Sequence, residues 1–124
     1  MQRQEPSNTS DLDQNIKYVM ARHPSVVLAI LFGSMATDQA RNDSDLDIAV
    51  ACSTPMTAQT HIAIVEDLAM ALGRPVDLID LDRIHNPLLQ QILTKGRRVL
   101  CQDRTPYAEH LLLMVYEEAD VMPY

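Results

Sequence analysis

Tryptophan is absent from these 124 residues; phenylalanine occurs once and tyrosine four times. So few aromatics give no stacking track for a nucleic-acid strand. Cations are scarce as well: ten Lys and Arg stand against 17 Asp and Glu, a net charge of −7. Bulk binding to nucleic acid needs a basic face that displaces counterions, so direct nucleic-acid contact is not expected. Only two cysteines occur, Cys52 and Cys101, and they lack CxxC spacing. That excludes a disulfide framework and reads as buried or free thiols of a reducing cytosol. No apolar run approaches the ~18–20 residues of a membrane span. The opening Met1-Gln2-Arg3-Gln4-Glu5-Pro6 has no apolar core, so a signal peptide is not expected there. The expected location is the cytoplasm, without a membrane partner.

What remains is an ordinary globular composition, 47% apolar and 22% charged. One core serves a chain of this length, and residues 11–124 are expected to form a single domain behind a flexible tail, residues 1–10. Leu12, Ile16, Val19 and Met20 recur at helical spacing from about Asp11 to Arg22, and Pro24 stops that helix. Val26 to Phe32 is short, β-branched and continuously apolar, as a strand buried on both faces would be. After Gly33-Ser34, residues 35–44 are mostly polar and suggest a short helical turn. Asp45 to Ala51 reads as a second strand. Pro55 stands near a helix start, with Ile62, Val65, Leu68, Ala69 and Leu72 on its buried face and Gly73 just past its end. Val76 to Asp80 is a third strand. Asn86-Pro87 opens a helix that ends at Gly96, and Arg98 to Cys101 forms a fourth strand. Thr105-Pro106 starts a last helix running to about Ala119. Strands alternating with helices predict an α/β domain with helices on a small sheet.

Asp45-Leu46-Asp47 carries the first chemical signal. Side chains alternate along a strand, so both acids project from one face. Adjacent carboxylates repel, and a divalent cation between them lowers their energy; hard oxygen donors suit Mg²⁺. The acidic balance of the chain suits that role and plain solubility equally. A Gly-Ser turn at the end of a buried strand suits a phosphate, since glycine lets the backbone approach and a following helix offers free N–H groups. Asp77 lies between apolar Val76 and Leu78, where an idle acid would be costly. Three acids on neighbouring strands beside such a turn form a site for two-metal phosphoryl transfer.

With these residues in place the chain resembles a known group. Phe32-Gly33-Ser34-Met35-Ala36, followed by Ala40-Arg41-Asn42-Asp43-Ser44-Asp45-Leu46-Asp47-Ile48, looks like the signature of MNT-type minimal nucleotidyltransferases of the DNA polymerase β-like superfamily. Arg74 to Leu81 resembles the strand that bears the third acid in that group. The resemblance implies a small mixed β-sheet of about four strands flanked by helices. It also implies an antitoxin that moves AMP from ATP to a tyrosine of a HEPN RNase toxin. Gly33 and Ser34 would hold the β- and γ-phosphates. Asp45 and Asp47 would bind two Mg²⁺ ions; Asp77 would bind the ion nearer the nucleophile and help take its proton. Arg41 would neutralise phosphate charge and Ser44 would orient the turn. Met35 and Asp38 stand where similar sequences often carry a basic residue and a glycine.

Other residues read more plainly. Asp80 is expected to face away from Asp77 as a solvated strand-end acid. His23, His61, His85 and His110 share no metal-ligand spacing. Leu111, Leu112, Met114 and Val115, with Tyr107, Tyr116 and Tyr124, suit either a core-facing helix or a partner surface, while Glu117, Glu118 and Asp120 suit a solvated helix end or a basic partner. A non-catalytic module that masks a toxin by contact is the rival function. Transfer to a small molecule such as an aminoglycoside is a third, disfavoured by a chain too short to add an acceptor domain.

Overall fold

The computed structural model describes residues 8–33 and 45–102, with backbone alone for residues 8–10. The expected turn over 35–44, the last helix and His110 lie outside the described residues. Helix α1 spans Asn8–Met20 and begins three residues before the expected Asp11. Ile16, Val19 and Met20 are buried along one stripe. The chain then tightens through Arg22 N–H to Val19 O and His23 N–H to Met20 O before Pro24, whose ring disfavours helix at the residue before it.

Four strands form one sheet in the order β3-β2-β1-β4: β1 Val26–Phe32, β2 Leu46–Cys52, β3 Val76–Asp80 and β4 Arg97–Cys101. The pairs β1–β2 and β1–β4 are antiparallel, and β2–β3 is parallel. The sheet is therefore mixed, as expected. A parallel pair needs a crossover, and helix α2, Ala58–Leu72, supplies it. Thr57 rather than Pro55 sets the start of α2, its Oγ1 accepting the Thr60 N–H at 3.1 Å. Gly73 ends the helix at φ 67° and donates its N–H to Ala69 O. Helix α3, Leu88–Lys95, follows the cis Asn86–Pro87 peptide and leads into β4.

The strand alternation splits the core into two layers. Ala29, Leu31, Ile48, Val50 and Leu78 meet α1 and α2 through Ile16, Val19, Ile64 and Leu68. On the other face, Leu28, Ile30, Ala49 and Ala51 meet Leu89, Ile92 and Leu93 of α3, together with Leu81. Each fully buried Leu or Ile contributes about 1.5–3 kcal/mol by leaving water. The continuous apolar run of β1 follows from this cover on both sides. Among the described residues no helix is long and apolar enough to cross a membrane.

Candidate active site

β1 ends where β2 and β3 begin, so one end of the sheet gathers the Gly33 turn and the starts of two acidic strands. In register, Phe32 pairs with Asp47, and Asp47 with Asp77. The Leu46 N–H bond to Pro75 O at 2.8 Å holds β2 and β3 together just before that row. Asp45 lies two residues before Asp47. By alternation Asp47 shares its face with Ala49 and Ala51, which puts it on the α3 side. Asp47 is half-buried, while Asp45 and Asp77 are exposed.

These positions interact electrically. Burial first, then the charges of Asp77 and Asp45, push the Asp47 carboxyl above its ordinary value of 3.8. The structure thus brings the three sequence-predicted acids within electrostatic reach of one another. Gly33 has φ 70°, a conformation that L side chains rarely adopt. A Cβ there would run into Asp47 Oδ2. The glycine therefore serves two needs, a left-handed turn and room for the carboxylate. Its sequence signal was the turn alone; the contact with Asp47 follows only from strand register.

Among the described residues no group of three His, Cys, Asp or Glu is placed to cage a metal by itself. Mg²⁺ asks for less, because it commonly binds through one or two carboxylates and completes its shell with water and substrate phosphates. The mutually repelling carboxylates of Asp45, Asp47 and Asp77 are oxygen donors of the kind such an ion takes. Ser34, Arg41, Ser44, Met35 and Asp38 lie outside the described residues.

Residues outside the three acids and the Gly33 turn have structural partners of their own. Asp80 is not solvated: its side chain is 13% exposed, with Oδ1 accepting the Asp82 N–H at 3.0 Å and Oδ2 3.6 Å from Arg83 Nε. It caps the short 3-10 turn Leu81–Arg83, a role that the acid's position at the strand end could have suggested. His23 Nε2 lies 2.7 Å from Asp67 Oδ2, and His61 Nε2 donates to Leu78 O at 3.1 Å. Cys52 and Cys101 are not joined in a disulfide and are both half-buried, and burial first pushes the Cys52 thiol up.

Comparison with known proteins agrees with the geometry. Residues 14–105 match the family described as Polymerase beta, Nucleotidyltransferase. The protein adenylyltransferase MntA of Shewanella oneidensis is 33% identical over 84 residues, covering 68% of this chain and 60% of the relative. This chain therefore matches less than two thirds of that protein's length. A toxin–antitoxin structure with AMP-PNP superposes at TM-score 0.74 with 27% identity, covering 87% of each chain. The MNT antitoxin bound to tri-AMPylated Shewanella oneidensis HEPN toxin superposes at 0.69 with 26% identity, covering 90% of this chain and 91% of that one.

Proposed function

The chain belongs to the Polymerase beta nucleotidyltransferase family, and from that premise we propose that it is a Mg²⁺-dependent protein adenylyltransferase. It moves AMP from ATP to a tyrosine of a cognate HEPN RNase toxin and thereby neutralises it. The carrying observation is Asp47, crowded by two like charges and seated against the Cβ-free Gly33. A carboxylate so placed gains from a cation and is costly without one. The MntA relative supports the reaction type, and the AMPylated HEPN toxin supports the acceptor.

In this reading Gly33 and Ser34 receive the β- and γ-phosphates, and Arg41 offsets phosphate charge. Ser44 orients the approach to β2. Asp45 and Asp47 would hold two Mg²⁺ ions, with Asp77 as a further ligand. When bound, the ions supply Lewis-acid charge to the phosphate oxygens. Asp77 receives the tyrosine proton as the phenolic oxygen bonds to the α-phosphorus. The bond from that phosphorus to the β-phosphate oxygen breaks, and its electron pair leaves with pyrophosphate. Two unbridged thiols and an ATP substrate suit the cytoplasm.

Co-expression with the toxin, followed by intact mass measurement, tests the reading. The toxin should gain one or more AMP units. Asp47→Asn should lower transfer roughly a thousandfold, since several kcal/mol of charge stabilisation is at stake and each 1.36 kcal/mol is tenfold. A toxin that is inhibited yet unmodified would mean masking by contact instead.

A further inference from the structure

The basic residues of this acidic chain are unevenly placed. Three of its ten cations, Lys95, Arg97 and Arg98, fall within four consecutive residues. The fold delivers that segment to the active-site end of the sheet. Gly96 is the reason: a Cβ there would sit 2.8 Å from Leu31 O and 2.5 Å from Ile30 Cγ2, so the end of α3 lies directly against the end of β1. Arg97 then pairs with Leu31 and Arg98 with Ile30.

The three cations divide between the faces. Arg97 shares the α1 face with Leu31, and its Nη2 donates to Asp13 Oδ1 at 2.7 Å. Its charge is engaged in tying β4 to α1. Arg98 follows Ile30 onto the opposite face, which Asp47 also shares. Lys95, in the last turn of α3, is exposed on that same side of the sheet. The active-site end is therefore graded: Asp77 and Asp47 on β3 and β2, Gly33 at the end of β1, then Lys95 and Arg98. β2 and β4 are two strand spacings apart, roughly 10 Å across the sheet.

In the adenylyltransferase reading, a polyphosphate at Gly33 gains from fixed cations beyond those of its own turn. Residues 33–44 hold one cation, Arg41, against Asp38 and Asp43. The reaction sharpens that need. As the bond from the α-phosphorus to the β-phosphate oxygen breaks, negative charge builds on the leaving pyrophosphate. Fixed cations aimed at developing charge lower the barrier.

We infer that Lys95 and Arg98 form the polyphosphate end of this site, holding the β- and γ-phosphates of ATP and then the departing pyrophosphate. The inference rests on the adenylyltransferase reading and adds to it the residues that grip the leaving group. Lys95 serves as a mobile point charge, and Arg98 supplies a planar donor fork suited to phosphate. Both act on phosphates beyond the α position, so AMP gains nothing from them.

Calorimetric titration of the full chain with a non-hydrolysable ATP analogue, inorganic pyrophosphate and AMP, each with Mg²⁺, provides the test. Lys95→Gln and Arg98→Gln should each weaken analogue and pyrophosphate binding roughly tenfold, the effect of one charge-assisted hydrogen bond. AMP affinity should stay within about twofold of wild type, and Lys95→Arg should bind as wild type does. Unchanged analogue and pyrophosphate binding in the double variant would overturn the inference, above all if toxin affinity falls instead, since the cations would then face the partner. If the wild-type chain itself binds neither analogue nor pyrophosphate, the adenylyltransferase reading fails first.

Discussion

β3 carries an acid near each end, and the two have opposite surroundings. Asp80 is held by the protein itself, through the Asp82 N–H and the Arg83 guanidinium. Asp77 is exposed, stands in register with Asp47, and adds to that residue's repulsion. Both acids look alike in sequence, each beside apolar neighbours in one five-residue strand. The difference is what the proposed roles predict: the fold satisfies the structural acid itself and leaves the other exposed beside like charge, where a cation can join it.

Exchanging each acid for its amide should break the likeness most sharply. Asp77→Asn should lower AMP transfer by roughly 10²- to 10⁴-fold, the usual range for losing a proton acceptor. Asp80→Asn should leave transfer unchanged, because asparagine still caps the turn. Single-turnover assays with both variants check the pair, and equal losses would erase the distinction.

Gly33→Ala should come next in size. The new Cβ meets Asp47 Oδ2 at a left-handed φ. The backbone conformation alone costs about 1–2 kcal/mol, and the Asp47 carboxylate must also move. Urea unfolding should show the lost stability, and nucleotide binding should fall with it. The same change at Gly73, where a Cβ meets nothing within 4 Å, should cost backbone strain alone and spare binding.

The smallest effect is thermodynamic. The folded-state carboxyl of Asp47 titrates above its ordinary 3.8. Its contribution to stability is therefore fully present below the unfolded value and is lost as pH rises through the raised one. Mg²⁺ should restore stability only where the carboxyl is ionised. At neutral pH, Mg²⁺ at ten times its dissociation constant should add about 1.4 kcal/mol. That gain should fall away as pH drops through the raised value, and Asp47→Asn should remove most of it at any pH. Thermal unfolding with and without Mg²⁺ measures both.

Much of this molecule was legible along the chain. The apolar run of β1, the heptad-like spacing of α1 and the glycine after α2 each report a local preference that the fold keeps. Strand alternation alone suggests that Asp45 and Asp47 share a face, although β2 itself begins at Leu46, one residue after Asp45. The helix cap at Thr57 escaped because Pro55 offered a competing start signal. The fate of Asp80 escaped because capping depends on where the next turn bends.

Among the described residues, the chain alone marked the four strands and three α-helices, the acids that stand out, and the family it resembles. Only the tertiary structure decided that Asp77 falls level with Asp47, that Gly33 lies against its carboxylate, and that Lys95 and Arg98 come to the end of β1. The reason is one of range. Periodicity and capping act over a few residues, whereas strand order and register are set by burying both faces of the sheet at once. Asp47 and Asp77, 30 positions apart along the chain, become neighbours only when that packing is complete.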